Sequence, residues 1–485
     1  MRFLPVFRAL GVIIAIFGVA MLAPLGVSVA FNDGAQTAYD EAIAITLFCG
    51  LILWLGATRG GAAELRVRDG FLLVALTWTI LPFFGALPLL IHINGLSFTD
   101  AYFEATSGLT ATGSTLLVGL DHLPISINFW RTFMHWIGGL GVIVLAVAIL
   151  PLLGIGGRQL FKAEVPGPMK ESSLTPRIAE TARGLWVVYI ILTVACGLAF
   201  IAADMEKWDA LMHAFSVMGL GGFSTKDASL GHFNSLSIEL IAMGFALLSG
   251  INYATHFMAL HQRSPKPYLR DAEIPFYLGV MALSIVGLTA YLMAFDIYEN
   301  GWTALRYVAF HCISLATSLG FATTDYAAWP MFGQLWILFL GSFYACSGST
   351  GGGIKMMRAI ILYKQVYREI LRAMHPRAVH PVRLGGSVVP DSVLYAVLAF
   401  SFIYMVVIVS LTLLMSASGL DIITAFSAVV ATLNNTGPGL GEVGPASNFS
   451  SLTDFQTWVC SFAMVLGRLE LFTLLVVLSP AFWRK

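Results

Sequence analysis

The sequence predicts an all-α membrane protein: four tandem helix–pore loop–helix units with pseudo-fourfold symmetry around a central pore, preceded by an N-terminal two-helix hairpin. Its composition, its long apolar runs and a short segment that occurs four times lead to this prediction. Of the 485 residues, 58% are hydrophobic and 11% are charged, which excludes an ordinary soluble globular chain. Apolar runs long enough to cross a bilayer predict ten spans, near 9–30, 38–57, 70–93, 128–153, 184–203, 235–261, 274–296, 333–361, 391–416 and 456–480.

The repeated segment is a short apolar stretch that ends at a glycine. Asp100 stands thirteen residues before Gly113, and Asp209 stands thirteen residues before Gly222. Similar stretches end at Gly320 and Gly437. Because they are too short to span a membrane, they predict re-entrant helices, each placed between two spans. These helices are expected near 99–110, 208–219, 303–317 and 421–433.

The loops after these helices indicate a pathway for a monovalent cation. Non-helical backbone persists at membrane depth only where protein buries it or where it lines water. A ring of such loops directs carbonyl groups at an axis, where they replace the hydration shell of an ion. Glycine suits the loops because their backbone angles disfavour a Cβ. Glycine used only for close helix packing is the alternative, and four loops in register favour the pore.

Acids and hydroxyls are expected to cap the outer ends of the re-entrant helices, where the helix dipole is positive. The predicted caps are Asp100, Asp209, Thr303 and Asp421. Further acids on that side predict an acidic mouth that concentrates cations, although acids merely tolerated outside the membrane would give the same pattern.

The asymmetry of the basic residues predicts the orientation. All but five of the 27 Lys and Arg residues fall on one side of the predicted spans, the exceptions being Arg131, Lys207, Lys226, Arg306 and Arg468. The positive-inside rule therefore places both termini in the cytoplasm. The most basic link, 355–390, has two interpretations: contact with lipid phosphates, or a docking surface for a cytosolic regulator.

The repeats divide the chain into a hairpin and four units. The hairpin occupies 1–62, and the pore units occupy 63–157, 158–264, 265–378 and 379–485. The second helix of the third unit is predicted to be broken, because a glycine costs roughly 1 kcal/mol in a helix relative to alanine. We expect a flexible intramembrane loop there that obstructs permeation until it moves, or otherwise a packing kink. This loop comprises Ser347, Gly348, Ser349, Thr350, Gly351, Gly352 and Gly353.

Arg468 lies in the last predicted span, where a charge is expensive and faces a cavity or a partner. It is either an electrostatic barrier beside the pathway, acting with the intramembrane loop, or half of a structural ion pair. Glu470 is two residues away and points to another helix face, so it is not the obvious partner, and Glu239 in the long helix of unit two is another candidate. No enzyme motif or metal-ligand spacing appears, and His213 and His311 are expected to pack within the re-entrant helices.

The loop sequences TSGLTATGST, SVMGLGGFST, SLATSLGFATTD and ATLNNTGPGLGEVGP resemble the pore loops of the Trk/Ktr/HKT superfamily of potassium transporters, with the closest similarity to the bacterial Trk-type membrane subunits. The resemblance covers essentially the whole chain. It implies potassium as the bound ion and a filter made by the four residues that end at each aligned glycine. These are Thr110, Ala111, Thr112 and Gly113; Gly219, Leu220, Gly221 and Gly222; Thr317, Ser318, Leu319 and Gly320; and Asn434, Asn435, Thr436 and Gly437.

The same resemblance implies gated potassium uptake across the bacterial inner membrane, with the multi-pass chain surrounded by lipids. It also implies a homodimer bound to a cytosolic nucleotide-binding regulatory subunit of the Trk type. Neither an organic cofactor nor a nucleic-acid partner is expected. The alternative function is a proton- or sodium-coupled potassium symporter. Such carriers are typically built from inverted repeats with broken helices in both halves, whereas these repeats share one orientation and one helix is predicted to be broken.

Overall fold

The computed structural model describes residues 3–57, 66–148 and 174–484. Among these residues, the regular structure is helical apart from a two-stranded ribbon that pairs Arg383–Leu384 with Ser387–Val388. Six of the described helices are long and apolar enough to cross a membrane, and two bent pairs raise the number to eight. The predicted all-α membrane fold is confirmed.

The N-terminal hairpin consists of Phe3–Ala20, Leu22–Phe31 and Gln36–Ala57, so its first predicted span is two helices. The hairpin crosses closely at Gly11 and Gly50, where a Cβ on either residue would meet the backbone of the opposite helix. It contributes no residue to the glycine loops. Its predicted end at residue 62, and the boundary at 157–158, lie outside the described residues.

Each unit has a first helix, a pore helix and a second helix. The first helices are Val67–His92, Leu174–Ala202, Ile274–Ala294 and Asp391–Ala417. The pore helices, close to their predicted bounds, are Phe98–Thr110, Lys207–Gly219, Gly301–Ala316 and Ile422–Leu433. The second helices begin with Ile125–Ala148, Leu236–Ser249, Met331–Phe343 and Asp454–Arg468. The last three continue after an interruption as Tyr253–Gln262, Met356–Met374 and Phe472–Leu478. Short helices at Lys266–Arg270 and Pro480–Trp483 complete these segments.

The break predicted in the second helix of unit three is present, and the second helices of units two and four are interrupted as well, which the sequence analysis did not predict. In unit two the axis turns by 92°, and the side chain of Asn252 caps the new helix by accepting a hydrogen bond from the N–H of Ala254. In unit four the axis turns by 114° at Glu470 and Leu471, whose φ angles are 51° and 54°. Neither break contains a glycine run like that of unit three, so composition gave no comparable signal.

Three of the four predicted caps of the pore helices are also wrong. The capping side chains are Ser97, Glu206 and Asn300, each three residues before the predicted residue, and they accept hydrogen bonds from first-turn N–H groups. Asp421 caps the fourth pore helix as expected, accepting from the N–H groups of Ile423 and Thr424 at 3.0 Å. In the first three helices an additional turn of helix precedes the acid or hydroxyl that the sequence suggested.

Candidate functional site

The four pore helices end in the same backbone arrangement. The N–H of the residue before each aligned glycine donates to the carbonyl six residues before that glycine, at 2.9, 3.0, 2.7 and 2.8 Å in units one to four. The residue two before each glycine is left-handed, with φ of 49°, 52°, 67° and 52° at Ala111, Leu220, Ser318 and Asn435. The glycines have φ of 84°, 80°, 80° and 98° at Gly113, Gly222, Gly320 and Gly437. The loops are therefore four copies of one conformation.

The four loops close into a ring. Each aligned glycine lies against the carbonyl oxygen of the residue before the aligned glycine in the next loop, so that a Cβ on it would collide with that oxygen. The pairs, in cyclic order, are Gly113 with Gly221, Gly222 with Leu319, Gly320 with Thr436, and Gly437 with Thr112. The structure thus brings all sixteen loop residues of the sequence analysis together, and glycine is required at the aligned position by both φ and contact.

The side chains of the two asparagines in the ring hydrogen-bond to other protein groups. Asn435 donates through Nδ2 to Thr112 Oγ1 at 2.9 Å. Asn434 donates to Ser342 at 3.0 Å and accepts from the hydroxyl of Tyr404 at 2.7 Å. These contacts engage both side-chain polar atoms of Asn434 and the amide nitrogen of Asn435, whereas Asn435 Oδ1 has no hydrogen-bond partner among the described residues.

One face of the ring lines a recess. All four aligned glycines contribute to its wall, and its charged residues are Arg131, Lys226 and Asp227. The Nζ of Lys226 lies 3.7 Å from carboxylate oxygens of both Asp121 and Asp209. The immediate wall therefore contains two cations and one acid, so the acidic mouth expected from the sequence does not describe it.

Each pore helix also holds the segment that follows its own glycine. A buried polar side chain, nine residues before the glycine in units one to three and ten before it in unit four, hydrogen-bonds two or three residues beyond the glycine. The pairs are Glu104 with Thr115 and Leu116, His213 with Ser224, His311 with Thr323, and Ser427 with Leu440. The expectation that the two histidines only pack is therefore wrong.

In unit one this contact includes an ion pair that sequence reasoning missed. Arg131 Nε donates to Glu104 Oε1 at 2.8 Å, and both side chains are 0% exposed. The guanidinium also donates to Thr115 Oγ1 at 3.3 Å and to the carbonyl of Ser224 at 3.2 Å, and it stacks 4.3 Å from the ring of Phe223. The sequence feature that could have suggested this ion pair was an acid in a pore helix together with a cation in an apolar helix of the same unit.

The unwound segment of unit three lies across the ring on the side opposite the recess. Thr350 Oγ1 donates to the carbonyl of Met218 at 3.2 Å, and the N–H of Gly352 donates to Ser318 Oγ at 3.3 Å. A Cβ on Gly352 would collide with the carbonyl of Asn434. The predicted loop residues 347–353 therefore contact the pore-helix ends of units two, three and four.

Glu273 holds both ends of this segment, a role that the sequence did not indicate. One carboxylate oxygen accepts from the N–H of Ser347 and from the N–H of Met357, both at 3.0 Å. Glu273 is 1% exposed. The loop is consequently anchored at its ends and spans the gap between two fixed points.

Arg468 donates to the carbonyl of Thr350 at 2.9 Å, which joins the two parts of the predicted gate. It is buried, and its Nε and Nη2 have no hydrogen-bond partner among the described residues. Glu239 is not its partner, because that carboxylate pairs with Arg306 at 2.7 Å. Glu470 does not pair with Arg468 either, since it accepts from Arg358 at 2.6 Å.

The basic link 355–390 is partly committed to internal contacts. Arg358 is 4% exposed and pairs with Glu470, and Arg368 lies 3.3 Å from Asp391. Arg372 and Arg377 are exposed. Only part of this charge is available to lipid or to a protein partner.

Comparisons with known proteins agree over the whole chain. A model of the TrkH family, described as a cation transport protein, matches residues 36–485. The "Trk system potassium uptake protein TrkH" of Vibrio parahaemolyticus is 46% identical over 488 residues, which is 100% of both sequences. The protein of that name from Escherichia coli K12 is 44% identical over 486 residues, again 100% of both. The crystal structure of the potassium transporter TrkH from Vibrio parahaemolyticus matches with a TM-score of 0.92 at 44% identity and covers 100% of both chains.

Proposed function

This chain belongs to the TrkH family of cation transport proteins, and we propose that it takes up potassium across the bacterial inner membrane by a channel-like pathway between its four glycine loops. The observation that carries this proposal is the closed ring of four loops with one shared backbone conformation. Carbonyl oxygens held in such a ring can replace the water around a monovalent cation. The relatives named as potassium uptake proteins support potassium as that cation.

The filter of this pathway consists of the sixteen loop residues, with the aligned glycines at its recess-facing end. The pore helices end at the first residue of the loops or immediately before it, so the partly negative ends of four helix dipoles are directed at the ion. A side-chain amide or hydroxyl that already hydrogen-bonds to another protein group does not compete for the cation, which favours the backbone carbonyls as its ligands.

The gate is the 347–353 loop together with Arg468. The loop spans the ring face opposite the recess, and a buried guanidinium bonded to it places positive charge beside a cation pathway. A charge of that sign opposes cation passage in a medium of low dielectric constant. Movement of the loop would carry its Thr350 carbonyl away from Arg468 and open the pathway.

We extend the proposal to assembly, with a homodimer that binds a cytosolic nucleotide-binding regulator. A stripe of exposed apolar side chains on Met356–Met374 supports a protein contact on this helix, at Tyr363, Val366, Tyr367, Ile370 and Met374. The exposed Arg372 and Arg377 suit an acidic protein surface or lipid phosphates. Both termini are cytoplasmic in this arrangement.

A proton- or sodium-coupled symporter is the second candidate. The breaks in three second helices favour it, since carriers commonly use discontinuous helices to bind and release their substrates. The parallel orientation of the four repeats favours the channel-like pathway.

Ion flux into proteoliposomes that contain only this chain tests the two candidates. Gradients of potassium, rubidium, caesium, sodium and lithium are compared first without and then with an imposed proton or sodium gradient. Potassium and rubidium flux that follows its own electrochemical gradient supports the channel-like pathway. Flux that starts only when a coupling gradient is imposed supports the symporter. Selectivity for none of these ions would contradict both.

A further inference from the structure

We propose that the buried Glu104–Arg131 pair is a positioning device for ion selection, because it fixes the glycine loops of units one and two relative to each other. The inference rests on the proposed function of the ring. Glu104 lies in the pore helix of unit one, and Arg131 lies in the second helix of the same unit. Neither residue is part of the ring, so both act through the loops.

The guanidinium of Arg131 contacts equivalent positions in two loops. Thr115 is two residues beyond Gly113, and Ser224 is two residues beyond Gly222. Arg131 donates to the side chain of the first at 3.3 Å and to the carbonyl of the second at 3.2 Å. A rigid planar fork therefore sets the distance between two neighbouring quadrants of the ring at the same level.

Glu104 fixes the fork and its own loop together. Its carboxylate accepts from Arg131, from the hydroxyl of Thr115 at 2.9 Å and from the N–H of Leu116 at 3.1 Å. With both charges fully buried, removal of either partner leaves the other ion without compensation. The arrangement continues into unit two, because the Ser224 hydroxyl is hydrogen-bonded to His213 Nε2 at 2.9 Å.

Among the described residues, the glycine loops and the segments that follow them make neutral contacts at the other three junctions. The charged pairs between those units, Glu239 with Arg306 and Arg358 with Glu470, lie away from the loops. Units two and three are joined by the N–H of Gly231 and the carbonyl of Ala322 at 3.1 Å. Units three and four are joined by Ser318 Oγ and the carbonyl of Asn434 at 3.4 Å. Units four and one are joined by Ser114 Oγ and the carbonyl of Gly437 at 2.8 Å. Charge-assisted hydrogen bonds are stronger than neutral ones, so the contact between loops one and two is the strongest of the four at the level of the loops.

A stiff junction matters for selection because a carbonyl ring discriminates between ions by how far its oxygens can approach one another. If the hydrogen bonds of the Arg131 guanidinium are weakened, loops one and two can shift closer together, and the free-energy cost of binding sodium in the ring falls. The predicted effect of weakening the pair is thus a change in the ratio of sodium to rubidium flux, and not merely a loss of protein.

The test compares variants of the full chain in proteoliposomes by the ratio of sodium to rubidium flux. Glu104→Gln removes one charge and keeps the shape, and Arg131→Lys keeps the charge but removes the fork. Thr115→Val is the milder variant, since it removes only the hydroxyl that joins Glu104 to Arg131. Glu239→Gln is the matched control, because it breaks the Glu239–Arg306 pair, which contacts no glycine loop.

We expect the ratio to rise about tenfold in Glu104→Gln and Arg131→Lys and less in Thr115→Val, while Glu239→Gln keeps the wild-type ratio. If Glu104→Gln does not fold, the ratio in Thr115→Val decides. A wild-type ratio in Thr115→Val together with Arg131→Lys overturns this inference and leaves the proposed function intact. A wild-type chain that does not discriminate between the two ions overturns the proposed function, and this inference with it.

Discussion

Arg468 and Thr350 are joined by a hydrogen bond of 2.9 Å between a buried guanidinium and a backbone carbonyl, although 118 residues separate them in the chain. The bond links the end of the last long helix to the middle of the unwound segment of unit three. Because this bond connects the loop to a positive charge next to the ring, a movement of the loop also alters the contacts of that charge.

Replacement of Arg468 by Gln is expected to raise basal rubidium flux by about tenfold in the absence of a regulator. The reason is the loss of a buried cation and of a charge-assisted hydrogen bond to the loop. The measurement is rubidium flux into proteoliposomes. Arg306→Gln, which removes a cation that pairs with Glu239 instead, should leave basal flux unchanged. Equal flux in the Arg468 variant and the wild type would remove this residue from the gate.

Replacement of Glu273 by Gln should also increase basal flux, by about fivefold. The carboxylate accepts from the N–H groups of Ser347 and Met357, and a neutral amide oxygen holds them less firmly, which raises the population of displaced loops. Hydrogen–deuterium exchange over residues 344–357 should accelerate in parallel. A variant with faster exchange but unchanged flux would show that the loop moves without controlling permeation.

Gly113→Ser and Gly437→Ser should weaken discrimination between potassium and sodium. Each added Cβ meets a carbonyl oxygen of the neighbouring loop, and positive φ strains a non-glycine residue by about 1–2 kcal/mol. The measurement is the ratio of sodium to potassium flux. Gly279→Ser is the control, because a Cβ there meets open space on a first helix. Unchanged ratios in both ring variants would count against the filter.

Asp33→Asn tests a titration outside the spans. Partial burial opposes ionisation of Asp33, but hydrogen bonds from the Ser28 hydroxyl and from the N–H groups of Ser126 and Ala35 outweigh it and lower its pKa below 3.8. The stabilisation is therefore complete above about pH 4 and is lost as pH falls through the folded-state pKa.

Thermal melting should accordingly show a less stable Asp33→Asn variant at pH 7, and its difference from the wild type should shrink near pH 3. The exposed Asp40→Asn serves as the control at both pH values. A difference that persists undiminished at pH 3 would mean that shape, and not charge, gives Asp33 its effect.

Much of this architecture was predictable because the signals were local. The distance of thirteen residues from Asp100 to Gly113 and from Asp209 to Gly222 revealed the repeats, and the glycine run after Ser347 revealed one break. The break at Leu471 was not predictable, since a leucine with positive φ is imposed by tertiary packing and has no compositional signature. The Glu104–Arg131 pair was missed because an acid and a cation in two apolar helices of one unit do not by themselves show that the two charges, 27 residues apart, meet behind a loop.

The cyclic contacts of the glycine ring have a consequence for inheritance. One polypeptide supplies all four quadrants of the ring. A substitution in its gene therefore changes one quadrant in every molecule, and rings with different numbers of changed quadrants do not form. Each quadrant is thus free to acquire its own sequence, which the ring already exhibits in Thr112, Gly221, Leu319 and Thr436 at a single level. An ion-conducting ring assembled from identical subunits has no such freedom, because every substitution is repeated four times around its axis.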